Sequence, residues 1–178
     1  MTVFDFTLRL GLTGYLAEEL QDAIYEAAGG DVGIEDGPQG VFVSLEREAP
    51  SLSAAITSAV RDMERVPGMR VVGVGQDDGV TLADVAQRVG RSYESVRLYA
   101  VGKRGPGGFP VPDWISPGGE RFYSWAEVAS WLRDKAGLPV EVPPFELRLA
   151  DEVLRTRRDL GAADEETRAD FGRLLVGA

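Results

Sequence analysis

The chain has 178 residues, with 19 Lys and Arg against 29 Asp and Glu, a net charge of −10, and neither His nor Cys. Those absences exclude disulfides, Cys- or His-ligated zinc and Ser-His-Asp chemistry. No run of about 18 apolar residues offers a membrane span and no basic-then-apolar start marks a secretory signal, so a cytoplasmic protein without a membrane partner is expected.

Val3–Leu10 alternates, with Phe4, Phe6, Leu8 and Leu10 on one side, which predicts a half-buried strand. After the turn Gly11–Gly14, the spacing of Leu16, Leu20, Ala23, Ile24 and Ala27 predicts a helix over Tyr15–Ala28, stopped by Gly29-Gly30. Val32–Glu35 and Val41–Glu46 read as strands joined by the turn-forming run Asp36–Gly40. Ser51 caps a second helix to about Arg65, and Met69–Val74 reads as a last strand. The order β-α-β-β-α-β over residues 1–77 matches the ferredoxin-like split βαβ plan. Its uncovered sheet face is expected to be solvated or packed in a dimer, with a ligand-sensing role as a weaker third reading.

The next stretch, residues 79–135, carries the functional signal. Leu82, Val85, Ala86 and Val89 form the apolar face of a helix that Thr81 can cap. Gly90-Arg91-Ser92 is a tight joint, and Ser92 can cap a second helix, Tyr93–Gly102. Val96 and Tyr99 share one face of that helix and leave Tyr93, Glu94, Ser95 and Arg97 on or near the other. The Gly- and Pro-rich run Gly105–Gly108 ends it. Phe109–Ile115 and Arg121–Tyr123 around Pro117-Gly118-Gly119 predict a two-stranded wing, and Ser124 with Glu127 forms a capping box for a helix over Trp125–Lys135.

This stretch resembles the excisionase/AlpA-like branch of the MerR-type winged helix-turn-helix domains. The likeness rests on Leu82-Ala83-Asp84-Val85-Ala86, Gly90, Ser92, Val96-Arg97-Leu98-Tyr99, Phe109-Pro110, Gly118-Gly119, Arg121-Phe122-Tyr123 and Trp131-Leu132. It implies a second helix in the major groove of double-stranded DNA and a wing along the backbone. By that likeness Tyr93, Ser95 and Arg97 face bases or phosphates, and Arg121 touches phosphate from the wing. The roles expected are base edges for Ser95 and Arg97, a base or sugar-phosphate for Tyr93, and phosphates for Arg91, Lys103, Arg104 and Arg121. Ser92, at the start of the same helix, completes the candidate DNA-contacting set.

Leu138–Pro144 is Pro-rich, and residues 136–144 read as an extended linker. Residues 145–178 read as a C-terminal helical segment, Phe145–Leu160 then Asp164–Val176, able to dock on either domain or to form a dimer contact. Its Arg155-Arg157-Arg158 cluster is expected to be a solvated face paired with Glu152 and Asp159. The fold class is therefore α+β.

Charge divides unevenly. Residues 1–78 hold five basic and fourteen acidic side chains; residues 79–135 hold eight and six, a net +2; residues 136–178 hold six and nine. The helix-turn-helix pattern thus coincides with the one positive segment, and so small an excess implies that two copies act together. The acidic pairs Glu18-Glu19, Asp77-Asp78 and Glu165-Glu166 read as solvated charge. Gly73–Gly79 lacks the Lys-Ser/Thr of a phosphate loop and reads as an inter-domain linker.

The expectation is a non-enzyme without cofactor or metal: a homodimeric, sequence-specific DNA-binding protein, either a bacterial transcription regulator or a mobile-element accessory factor. Its acidic N-terminal domain would dimerise, recruit a protein partner or sense a ligand. The alternative is a protein-protein adaptor or antitoxin-like protein using a winged helix without DNA, which the net −10 charge and Glu94 favour.

Overall fold

The computed structural model describes residues 1–29, 32–75 and 78–176, with the backbone alone at Val176. The protein is α+β, and the chain divides into two compact units: Met1–Gln76 with Glu146–Ala178, and Asp77–Phe145. Among the described residues no helix is long and apolar enough to cross a membrane.

The first unit runs β1 (Thr2–Leu10), α1 (Glu18–Ala28), β2 (Val32–Gly37), β3 (Gly40–Ala49), α2 (Leu52–Met63) and β4 (Val71–Val74). The strands form one antiparallel sheet in the order β2-β3-β1-β4. The alternation of β1 puts Phe6, Leu8 and Leu10 into the core beside Val41, Val43 and Leu45 of β3, under Ile24 of α1 and Ile56, Ala59 and Met63 of α2. The opposite face carries Asp5 and Glu46 and a hydroxyl pair, Thr7 with Ser44 at 2.9 Å.

Helix α1 begins at Glu18 and not at the expected Tyr15, for a tertiary reason. The Leu16 N–H donates to the Asp36 carboxylate at 2.7 Å and the Gly14 N–H to the Gly37 carbonyl at 2.7 Å, which holds residues 14–17 against the β2–β3 turn. Gly29 caps the helix in the left-handed region at φ 73°. Gly30, also expected in that stop, lies outside the described residues. Gly73 and Val74 lie in β4, as the strand expected over Met69–Val74 has them and not as part of a linker from Gly73; Gln76 and Asp77 of that stretch lie outside the described residues.

The C-terminal segment is α6 (Phe145–Ala162) and α7 (Glu165–Val176). Helix α6 packs on the first unit's core through Leu147, Ala150 and Leu154. It also seals the free edge of β4. The Val74 N–H donates to the Asp151 carboxylate at 2.9 Å, Arg157 donates to the Val71 carbonyl at 2.9 Å, and the Val71 N–H donates to Glu64 at 3.1 Å. Unpaired groups on an edge strand invite another chain, and here side chains occupy them. The expected arginine face is corrected accordingly. Arg158 pairs with Asp159, but Arg155 binds Asp151 and Arg157 crosses to Glu64.

The second unit runs β5 (Gly79–Val80), α3 (Leu82–Arg88), α4 (Tyr93–Ala100), β6 (Trp114–Ile115), β7 (Arg121–Ser124) and α5 (Trp125–Asp134). Its sheet has the order β5-β7-β6, and Val80, Val85, Val96, Tyr123, Val128 and Leu132 form the core. The strand expected over Phe109–Ile115 shrinks to Trp114–Ile115, since Pro110 and Pro112 have no N–H to give a ladder. The stretch 136–144 has no helix or strand, but it is not a free linker: Leu138 and Val140 pack against the second unit's core. Asp78, expected as solvated charge, adds to the Ser124 cap of α5, its carboxylate accepting the Ala126 N–H at 3.0 Å.

Candidate nucleic-acid interface

Two helices and a tight turn build the site. Thr81 accepts the Asp84 N–H at 3.2 Å, and the Asp84 carboxylate accepts the Thr81 N–H at 2.8 Å, so α3 starts in a complete capping box. The bond from the Thr81 backbone, then that from its hydroxyl, holds the Asp84 carboxyl below its ordinary pKa. At the joint Gly90 has φ 61°, a conformation that any Cβ strains, and the Arg91 N–H returns to the Ala86 carbonyl at 2.9 Å. The chain then turns sharply into α4, whose first turn Ser92 caps by accepting the Ser95 N–H at 3.2 Å.

Val96 and Tyr99 anchor α4 in the core. Tyr99 packs edge-on against Trp131, at 5.3 Å between ring centroids, and Phe109 packs on the same Trp131 at 5.1 Å. The Trp131 indole N–H donates to the Gly107 carbonyl at 3.0 Å, which ties the glycine-rich run to the core. Gly105, at φ 78°, passes so near the Tyr99 ring that a Cβ there would lie 2.9 Å from it.

The outward side of α4 holds most of the candidate set. Tyr93 stands 53% exposed. Arg97 forks onto Glu94 through two bonds of 2.7 Å, and this bond holds the Glu94 carboxyl below its ordinary range. Ser95 accepts from the Arg104 guanidinium at 2.8 Å, and the same guanidinium lies over the Tyr99 ring at 5.4 Å. Lys103 is exposed and near enough to Glu94 to lower its pKa further. The structure thus gathers Tyr93, Ser95, Arg97, Lys103 and Arg104 on and just beyond one helix.

Three candidates fall elsewhere. The Ser92 hydroxyl is committed to its cap. Arg91 pairs with neither Asp84 nor Glu94 but lines a cleft of about 630 Å³ with Arg88, Trp125 and the Leu138–Val140 strap. Arg121 is exposed on β7 of the hairpin.

Two residues escaped the sequence reading. Arg88 sits over the Trp125 ring at 4.9 Å; its place in the last turn of α3 was the available signal. Trp114 stacks flat on Phe122, at 4.4 Å and 4°, and remains 52% exposed beside Ile115 at 54%.

The electrostatic balance is tighter than the segment count implied. The folded unit takes in Asp77, Asp78 and Glu141, so Asp77–Phe145 holds eight basic and nine acidic side chains, a net −1. Attraction for a polyanion must then come from the placement of Arg88, Arg91, Lys103, Arg104 and Arg121 and not from net charge. Among the described residues no group of three carboxylates converges as a metal site. No family model, curated protein or solved structure matches the chain.

Proposed function

We propose that residues 79–135 act as a winged helix-turn-helix that binds double-stranded DNA, with α4 in the major groove and the β6–β7 hairpin along the backbone. The chain would serve as a bacterial transcription regulator or mobile-element accessory factor, and the ferredoxin-like first unit as its dimerising or partner-binding part. One observation carries this reading. Val96 and Tyr99 fix α4 from below while Tyr93, Arg97, Lys103 and Arg104 stand in solvent around a polar outer face, which is the geometry a groove-reading helix needs. Arg97 can exchange Glu94 for the O6 and N7 of a guanine, a fork of the same shape. Lys103, Arg104 and Arg121 supply sequence-independent phosphate contacts.

A protein-protein adaptor is the second reading. The net −1 of the second unit and the exposed Trp114-Ile115 pair on the hairpin favour it. Selection from random duplexes at two salt concentrations separates the two. An enriched motif with a steep salt dependence supports DNA reading; absence of binding at low salt removes it.

A further inference from the structure

Helix α7 has an amphipathic pattern whose apolar face is left uncovered by the described residues. Phe171, Leu174 and Leu175 fall at i, i+3 and i+4 on one face and are 55%, 76% and 64% exposed, and none of the helix's described side chains is buried. A helix of this length is marginal in water unless its apolar face is covered.

Helix α6 leaves a second surface open. Leu147, Ala150 and Leu154 turn toward the core, whereas Leu149 and Val153, at i and i+4, stand exposed. Leu149 and Val153 line, with Ile56 and Val60 of α2, an apolar cleft of about 270 Å³ in which Glu146 alone is charged. Leu149 to Val153 and Phe171 to Leu175 each span about 6 Å of helix axis, so the two faces match in length.

Within one chain the faces stay apart. Asp164 caps α7 by accepting the Thr167 N–H at 2.8 Å, and Arg168 donates to the Leu160 and Ala163 carbonyls at 2.9 and 2.7 Å, which holds the corner between the helices in the geometry that leaves both faces open.

We propose that the chain forms a twofold dimer in which α7 of each copy seats Phe171, Leu174 and Leu175 in the α2/α6 cleft of the other. The occupant is a second copy because donor face and acceptor cleft are both unfilled on the same chain. A twofold axis fills both at once and uses each contact twice, the route by which short elements reach the ~800 Å² per partner of a standard interface. The −10 charge opposes association through polar surface, so the copies meet where charge is sparse, and this cleft is such a place. The proposal does not rest on DNA binding.

The full chain, without DNA, tests it. Sedimentation is expected to give twice the 19.2 kDa chain mass. Leu174→Glu and Leu149→Glu, on opposite sides of the contact and both at exposed positions, should each weaken dimerisation by about tenfold or more with an unchanged circular dichroism spectrum. The chain has no Cys, so Leu174→Cys and Val153→Cys proteins can be mixed and oxidised; the mixed disulfide should dominate over either homodimer. A monomer at high micromolar concentration would overturn the proposal. So would a dimer indifferent to both glutamates, or cross-linking confined to Leu174→Cys with itself.

Discussion

Arg97 and Glu94 face each other across one turn of α4, joined by two hydrogen bonds of 2.7 Å. Both side chains reach solvent, so the pair is held by geometry and not by burial. It occupies the guanidinium of Arg97, the side chain proposed above to read a guanine.

Releasing that fork should therefore strengthen DNA binding. Glu94→Gln is expected to raise duplex affinity, as the Arg97 fork becomes available to a base edge and a carboxylate facing the polyanion is removed. Arg97→Ala should act oppositely, weakening specific binding by roughly 1–3 kcal/mol and relaxing one position of the motif. Fluorescence anisotropy at two salt concentrations measures both; weaker binding by Glu94→Gln would mean that the carboxylate itself contacts the duplex.

The edge seal on β4 predicts a stability effect far from the interface. Asp151 accepts the Val74 N–H and binds Arg155, with Arg9 at 3.8 Å, and is largely shielded from solvent. Asp151→Ala leaves that N–H without its charged acceptor and should cost roughly 1.5–3 kcal/mol in urea unfolding. Gly73→Ala should mimic it, because the added Cβ would lie 2.5 Å from the Asp151 carboxylate and 2.7 Å from the Arg9 guanidinium. In both variants amide exchange should quicken first at Val74; unaltered exchange there would refute the seal.

The glycine-rich run before the hairpin should depend on Trp131. Trp131→Phe keeps an aromatic ring against Tyr99 and Phe109 but removes the bond to the Gly107 carbonyl, an expected loss of about 1 kcal/mol. Gly105→Ala should be worse than a simple loss of flexibility, since it combines a strained φ with a clash on Tyr99. Limited proteolysis within residues 103–108 would report both, and resistance equal to wild type would count against the tie.

Two groups contribute at opposite ends of the pH profile. The Asp84 carboxyl sits below its ordinary 3.8, so its contribution is present above that value and is lost as pH falls through the lower folded one. Thr81→Ala should cost about 1 kcal/mol at neutral pH and flatten this acid limb. Burial pushes the Tyr123 hydroxyl above its ordinary 10.0. Its contribution is present below 10.0 and is lost as pH rises through the higher folded value. Tyr123→Phe should remove that alkaline loss, which tyrosinate absorbance during unfolding would reveal.

How much of this was legible depended on range. The period-2 pattern of β1 and the 3.6-residue pattern of α2 and α5 are written in consecutive residues, and those elements lie where the patterns put them. The caps at Thr81, Ser92 and Ser124 are equally local, each joining a hydroxyl to an N–H three residues on. The start of α1 was not legible, because Asp36 decides it from another element. The same holds for the strap at Leu138 and Val140, whose proline content resembles a linker until a core is there to receive its apolar side chains.

In the candidate interface, the order of residues alone determined which side of α4 faces out, since Val96 and Tyr99 must be buried together. Which guanidiniums are occupied is decided partly along the chain and partly by the fold. Arg97 meets Glu94 one helical turn away, a pairing the sequence itself spells out, whereas Arg157 meets Glu64 across 93 residues and Asp151 meets Val74 across 77. Hydrophobic periodicity is a property of neighbours along the chain, and it sets what is buried. Charge pairing between distant residues is a property of neighbours in space, and only the closed tertiary structure brings those together.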